Sequence, residues 1–229
     1  MNVSDIRQHF IQALANEEFT TDRTGSKTIE LIGASFVADE PAIFGTVNED
    51  YVKAELDWYN EMSTNINDIE YGDQPPKAWQ LAANDYGEIN SNYGKLIYSD
   101  RYYDQYSQAL DELVINPDSR RATMIYTRPS IWYEYSDNGK NDFICTNAVT
   151  YYIRDGKLNC VVQMRSNDVV YGYKNDYAWQ HNVLTELTGD YNVSRGSLPN
   201  DKGEDIEVGT ITWQVQNLHV YERHFDLVK

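Results

Sequence analysis

A chain of 229 residues can bury a deep pocket within one domain, and its formal net charge of −17 sets it against a phosphate backbone or an anionic membrane surface as a partner. No apolar run approaches a membrane span, the N-terminus MNVSDIRQHF has no signal-peptide pattern, and two cysteines in strand-like stretches do not make a disulfide scaffold; the expectation is a soluble cytoplasmic protein in a reducing compartment. An anionic small molecule stays open as a ligand, because clustered arginines override a global field at short range. The 19 tyrosines suit a semi-polar pocket or interface, although most read as ordinary core and surface aromatics.

Ser4–Ala15 reads as the first helix, with Ser4 as its cap and Ile6, Phe10, Ile11 and Leu14 at helical spacing. A Thr-Gly turn leads to a strand over Thr28–Val37, and Arg23 lies in the loop before it, a position where arginines are mostly solvated. Asn48–Met62 reads as a second helix carrying Val52, Leu56 and Trp58, and spacing alone makes Glu55 a surface charge on it. Ile66–Asn92 is an irregular connection with Pro75, Pro76 and Trp79, ending in INSNYGKLI, where Tyr93-Gly94 points to a tight backbone approach. A helix is predicted over Arg101–Ile115, stopped by Asn116-Pro117, and Arg120-Arg121 lead into a strand over Ala122–Tyr126.

Phe143–Ile153 and Lys157–Met164 form a predicted hairpin across Arg154-Asp155-Gly156. From Val169 the spacing turns helical through Tyr177, Trp179, Val183, Leu184 and Leu187. Residues 189–208 are polar and contain glycine, which reads as a surface excursion. Val208–Val215 is the last predicted strand, and it runs into an extended segment with His219 and Tyr221 on one face. Helices interrupt strands without βαβ regularity, so the expectation is one α+β domain over 1–229 on a mixed sheet.

Cys145 is favoured over Cys160 as a nucleophile, since it follows a polar loop and precedes Thr146-Asn147, which fits a strand end at a cleft. Nearby guanidinium groups would favour its thiolate, although residue type alone makes a strand cysteine more often inert core. Arg165-Ser166 pairs a bidentate donor with a hydroxyl, a fit for phosphate. Asp168 and Asp176 read equally as charges favourable at a helix N-terminus. Without Cys-x-x-Cys, His-x-x-x-His or a Gly-rich phosphate loop, neither zinc nor a dinucleotide is supported. These pieces alone describe a cysteine enzyme acting on an anion.

Their order carries more. DRTG near the start, Glu55 ahead of Trp58, NYG at 92–94, Arg120-Arg121, the Cys145 strand, QMRSNDVV and LHVY at 218–221 together resemble the thymidylate synthase superfamily over nearly the whole chain. Within it, GASFVADEP, NPDSRR, YTRPS, MRSNDVV and NDYAWQ are similar to the phage-type deoxycytidylate 5-hydroxymethylases. Synthases have Pro-Pro-Cys-His around the nucleophile where this chain has Ile-Cys-Thr, with Thr146 in place of histidine, and an asparagine where it has Asp176. Thr150 departs from the superfamily, which has glutamine there.

The resemblance implies a large mixed sheet flanked by helices, with a sheet face packed in a homodimer. It implies 5,10-methylenetetrahydrofolate as the one-carbon donor, and no metal. Cys145 would add to C6 of the pyrimidine. Arg23, Arg165 and Ser166 would hold the phosphate, joined by Arg120 and Arg121 reaching from the partner subunit. His219 and Tyr221 would bind the sugar 3′-hydroxyl, and Asn167 would belong to the substrate-binding set. Asp176 would read the base, since a carboxylate accepts from the cytosine N4 amine and, when protonated, donates to N3. Asp168 and Trp79 would face the folate. Glu55, with Tyr93 nearby, would orient or deprotonate the water that quenches the C5 methylene; water rather than hydride rests on the resemblance.

Alternatives are a thymidylate synthase-like methyltransferase acting on dUMP or dCMP, a CMP hydroxymethylase, and a binding relative without activity. The chain ends at HFDLVK, where relatives carry a further tail that closes over the folate; a short tail and a truncated one are both open.

Overall fold

The first helix, α1 (Val3–Ala15), is capped by Asn2 rather than by the expected Ser4. The Asn2 side chain accepts from the Asp5 N–H at 3.1 Å, and the Asp5 carboxylate accepts from the Asn2 N–H at 3.0 Å, a reciprocal capping box. Val3, Ile6, Phe10 and Ala13 form its buried stripe. The computed structural model describes residues 1–196 and 204–229. It divides the chain into two compact units, Met1–Val47 with Tyr152–Lys229, and Asn48–Tyr151.

In the first unit, strands β1 (Thr20–Thr21), β2 (Lys27–Val37), β6 (Glu207–Tyr221) and β5 (Lys157–Asp168), numbered in chain order, lie side by side. The end of β4 (Thr146–Arg154) continues into β5 through Asp155-Gly156. Both turn residues have positive φ, 52° and 71°, the backbone that a two-residue hairpin loop requires. β1–β2 and β2–β6 are antiparallel and β5–β6 is parallel, so the sheet is mixed.

β6 takes in the whole NLHVY segment as strand. Along it Ile211, Trp213 and Val215 are buried in alternation, and then the phase changes to Leu218 and Val220. β5 does the same, with Leu158, Cys160, Val162 and Met164 buried and then Asn167. Met164 pairs with Val215 and Asn167 with Leu218, so both strands change phase at one level. Beyond it Arg165, Ser166, Asp168, His219 and Tyr221 stand half-buried.

Helix α7 (Gly172–Gly196) continues well into the stretch expected to be an excursion, and residues 197–203 of that stretch lie outside the described residues. Gly189 does not stop the helix. An interior glycine costs about 1 kcal/mol against alanine, less than the roughly 1.5–3 kcal/mol from burying one large apolar side chain, and Leu187 and Tyr191 are both buried around it.

The second unit holds α2 (Glu49–Asn60), α3 (Lys77–Ala82), α4 (Tyr93–Tyr98), α5 (Gln105–Ile115), β3 (Thr123–Ile125), α6 (Ile131–Glu134) and the start of β4. β3 pairs antiparallel with β4, which completes the strand order β1-β2-β6-β5-β4-β3. α5 begins at Gln105 rather than Arg101, because Tyr103 and Asp104 are left-handed, at φ 70° and 42°. The Asp104 side chain then caps the helix through the Ser107 N–H. Gln105 covers the edge strand: its Nε2 donates to the Ile125 carbonyl at 2.8 Å and its Oε1 accepts from the Ile125 N–H at 2.7 Å.

A column of rings forms the core of this unit. Trp58 stacks on Tyr59 at 5.2 Å, Tyr59 on Tyr93 at 5.4 Å, and Tyr93 meets Tyr126 edge-on at 5.2 Å. The tight approach expected at Tyr93-Gly94 is real, since a Cβ on Gly94 would lie 1.9 Å from the Tyr59 carbonyl oxygen. Among the described residues no helix is long and apolar enough to cross a membrane.

Two glycines should respond in opposite directions. Gly94→Ala forces backbone apart and should cost roughly 3 kcal/mol or more in urea denaturation. Gly189→Ala meets nothing within 4 Å among the described residues and should add about 0.5–1 kcal/mol.

Candidate active site

Glu55 is not the surface charge that spacing suggests. The buried stripe of α2 is Ala54, Glu55, Trp58 and Tyr59, and Val52 and Leu56 are only half-buried. The carboxylate is kept inside by two donors on one oxygen: the Tyr51 hydroxyl at 2.5 Å and the Trp79 indole N–H at 3.0 Å. Burial pushes the Glu55 pKa up, and the two donors oppose that only in part. Trp79, from α3, also meets Trp58 edge-on at 5.2 Å, so the ring expected near folate stands directly beside Glu55. Tyr93 is buried in the ring column of the same unit. Tyr51 was not singled out from sequence, and its one local signal is its place four residues before Glu55, one helical turn away.

Cys145 immediately precedes β4, which starts at Thr146 rather than Phe143. The chain is kept out of the strand by Asp142. Its carboxylate accepts from the Asn90 N–H at 2.6 Å, the Ser91 N–H at 2.8 Å and the Ser91 hydroxyl at 2.6 Å, while Asn90 Nδ2 donates to the Asp142 carbonyl at 2.9 Å. Phe143 then packs edge-on against Trp132 at 5.1 Å. Cys145 is half-buried, and its Sγ donates to the Phe143 carbonyl at 3.8 Å. Cys160 is core, where burial pushes its thiol up to about 12. Asp142 has no local sequence signal, since its partners lie some fifty residues upstream.

Arg120 and Arg121 are exposed. Arg121 is held by Glu112, with Nη2 to Oε1 at 3.0 Å. The Glu112 pKa is lowered first by the Ser119 hydroxyl and then by Arg121.

The first unit holds the remaining candidates. In the DRTG loop Asp22 Oδ1 accepts from the Thr24 N–H at 2.8 Å, the Thr24 hydroxyl at 2.7 Å and the Ser26 N–H at 3.0 Å, which folds the loop around an exposed Arg23. His219 and Tyr221 meet edge-on at 5.0 Å, and Arg223 lies over the Tyr221 ring at 4.2 Å. Burial raises the Tyr221 pKa first, Asp22 and Asp168 add to the rise, and Arg223 and Arg23 oppose it, so these charges share one neighbourhood.

Asp168 does two things. Its Oδ1 accepts from the N–H groups of Val170 at 3.0 Å and Tyr171 at 2.6 Å, starting the turn into α7 as the helix-terminus reading expects. Its Oδ2 is buried with no hydrogen-bond partner among the described residues, which fits an N–H donor brought by a ligand. Asn167 Nδ2 donates to Asp176 Oδ2 at 2.7 Å. Arg165 and Ser166 stand half-buried on β5. Lys174 escaped the sequence reading: it is 8% exposed, donates to the Thr46 carbonyl at 3.0 Å and lies 4.7 Å from the Tyr171 ring. Burial lowers its pKa and Asp168 opposes that. Among the described residues no group of three His, Cys, Asp or Glu side chains is placed to hold a metal ion.

The environment of Glu55 gives a pH-linked expectation. Its folded pKa lies above the ordinary value of 4.5, so its contribution to stability is full below that value and is lost as pH rises through the folded pKa. Glu55→Gln keeps an acceptor for Tyr51 and Trp79 without the charge. Its stability relative to wild type should therefore rise from pH 4 toward neutrality in denaturant titrations; a constant difference across that range would contradict the raised pKa.

The family model described as Thymidylate synthase matches residues 7–229. The chain is 53% identical over 228 residues to the deoxycytidylate 5-hydroxymethyltransferases of Enterobacteria phages T4, T2 and T6, covering 100% of this chain and 89% of each relative. With a match of that extent, the chain belongs to the thymidylate synthase family.

Proposed function

We propose that this chain is a deoxycytidylate 5-hydroxymethyltransferase that takes dCMP and 5,10-methylenetetrahydrofolate and uses water as the final nucleophile. The observation that carries the reading is the 53% identity, over the whole chain, to phage proteins of that name. Under this reading the enzyme works in the host cytoplasm.

C5 of a cytosine is a poor nucleophile, and a thiolate on C6 breaks the aromatic system and makes it an enamine. Cys145 forms the S–C6 bond, and the electron pair released at C5 attacks the one-carbon unit that the folate supplies. C5 loses its proton, the folate departs as tetrahydrofolate, and an exocyclic methylene is left at C5. Water adds to that methylene and the thiolate leaves C6. The C5 proton and one water proton end on the folate nitrogens, so the sum is dCMP, methylenetetrahydrofolate and water to 5-hydroxymethyl-dCMP and tetrahydrofolate.

Glu55 orients the water and takes its proton; burial raises its pKa, which makes its carboxylate the stronger base. Asp168 Oδ2 accepts from the pterin, Trp79 packs on the folate, and Tyr93 serves the water step with Glu55. Arg23, Arg165 and Ser166 hold the phosphate together with the partner subunit's Arg120 and Arg121, which makes the working form a homodimer. His219 and Tyr221 take the 3′-hydroxyl. Asp176, with Asn167 donating to it, reads the cytosine edge.

Mass spectrometry of products from dCMP, CMP and dUMP with methylenetetrahydrofolate tests the reading. The expected product is dCMP plus one CH₂O, with tetrahydrofolate released; a methylated product with dihydrofolate would assign a synthase instead. Cys145→Ser should abolish turnover. Glu55→Gln should cut kcat by roughly 10²–10⁴-fold while dCMP binding persists in calorimetry. Asp176→Asn should move the preference toward dUMP, and an unmoved preference would remove its base-reading role.

A further inference from the structure

We infer that Trp213, acting through Asn167, decides which oxygen of Asp176 accepts and which donates, and thereby sets the preference for cytosine over uracil. This rests on the proposed role of Asp176 in reading the base.

Trp213 is fully buried on β6. Its indole N–H donates to Asn167 Oδ1 at 3.2 Å. At its other end the same amide donates through Nδ2 to Asp176 Oδ2 at 2.7 Å. An indole nitrogen can only donate, so the amide has one workable orientation. Flipping it would set an NH₂ against the indole N–H and an oxygen against the Asp176 oxygen. Asn167 is 4% exposed, so water cannot repair such a mismatch. Gly172 closes a further side, where a Cβ would lie 3.2 Å from Asn167 Nδ2 and 3.9 Å from Asp176 Oδ2. The amide is wedged between an indole, a glycine and the carboxyl that it serves.

The consequence is one of hydrogen-bond parity. A protonated carboxyl by itself does not distinguish the two bases. With the proton on one oxygen it matches the N4 amine and bare N3 of cytosine; with the proton on the other it matches O4 and N3–H of uracil. An N–H donor fixed on Oδ2 disfavours a proton there, because a hydroxyl is a poorer acceptor than a carbonyl oxygen. With Oδ2 facing N4 and Oδ1 facing N3, the relay keeps Oδ2 as the acceptor and directs the proton to Oδ1. The opposite facing would turn the preference toward uracil, and a rise in the dCMP to dUMP ratio in Trp213→Phe would overturn the inference. The uracil pattern requires the proton on Oδ2, against Asn167. Trp213 is a positioning residue in this scheme and touches no substrate.

Trp213→Phe keeps the ring and deletes the donor. The expected result is a fall of roughly tenfold in the dCMP to dUMP ratio of kcat/KM, with the KM for methylenetetrahydrofolate unmoved. In an Asn167→Ala background the same substitution should have no further effect on the ratio. A purely packing role would lower both nucleotides alike, so a folded Trp213→Phe enzyme with the wild-type ratio overturns the inference. Should that variant fail to fold by circular dichroism, Asn167→Leu, of similar volume, takes its place: a shift toward dUMP supports the relay, and an equal loss on both nucleotides overturns it. Wild type assayed alongside separates the two levels. Hydroxymethylation of dCMP by wild type with an unchanged variant ratio removes the relay alone; wild type inert toward dCMP removes the proposed function and the relay together.

Discussion

The parallel pairing of β5 with β6 is the constraint on which the first unit depends. It sets Ser166, Asn167 and Asp168 beside Asn217, Leu218 and His219, residues separated by about fifty positions in the chain. Parallel neighbours need a long crossover, and α7 is most of it. The helix therefore starts at Gly172, one short turn after Asp168, whose carboxylate organises that turn, and its second turn delivers Asp176 to Asn167. The pairing also marks where the apolar core stops, since regular burial ends at Met164 and Val215 in both strands together. Polar side chains half-exposed next to a rigid apolar layer are held in place without being sealed from a ligand.

In the second unit, order comes from buried polar groups satisfied at long range. Asn92 is fully buried, donates to the carbonyls of Trp58 and Ser63, and caps α4 through the Lys95 N–H. Asp142 ties the residues before Cys145 to Asn90 and Ser91. A buried polar group left unmade costs about 1–3 kcal/mol, so each of these contacts specifies one geometry more sharply than apolar packing does. Glu55 differs in kind. Its two donors do not offset its burial, and a charge held at a disadvantage is a common sign of a working group.

Much of this was legible in the chain itself. Helices α1 and α2, the turn at Asp155-Gly156, the close approach at Gly94 and the mixed sheet follow from spacing and turn chemistry. What spacing misread has a shared cause, namely contacts distant in sequence. Glu55 looks like a surface charge because nothing local says that Trp79 will donate to it. The strand appears to begin at Phe143 because nothing local says that Asp142 is held elsewhere. The break before α5 lies in two left-handed residues, Tyr103 and Asp104, neither a glycine. The helix past Gly189 persists because tertiary burial outweighs propensity. The likeness to a family supplied the candidate residues, and the structure adds the partners Tyr51, Asp142, Lys174 and Trp213, which composition does not mark.

The Gln105 amide at the sheet edge has a dynamic consequence. By offering one acceptor and one donor to Ile125 it stands in for a peptide unit of an absent neighbouring strand. It is also the first residue of α5, directly after the left-handed pair. Fraying of that helix end and uncovering of the sheet margin are therefore a single event. The Ile125 amide is expected to exchange its hydrogen with solvent on the clock of a helix terminus rather than that of the sheet.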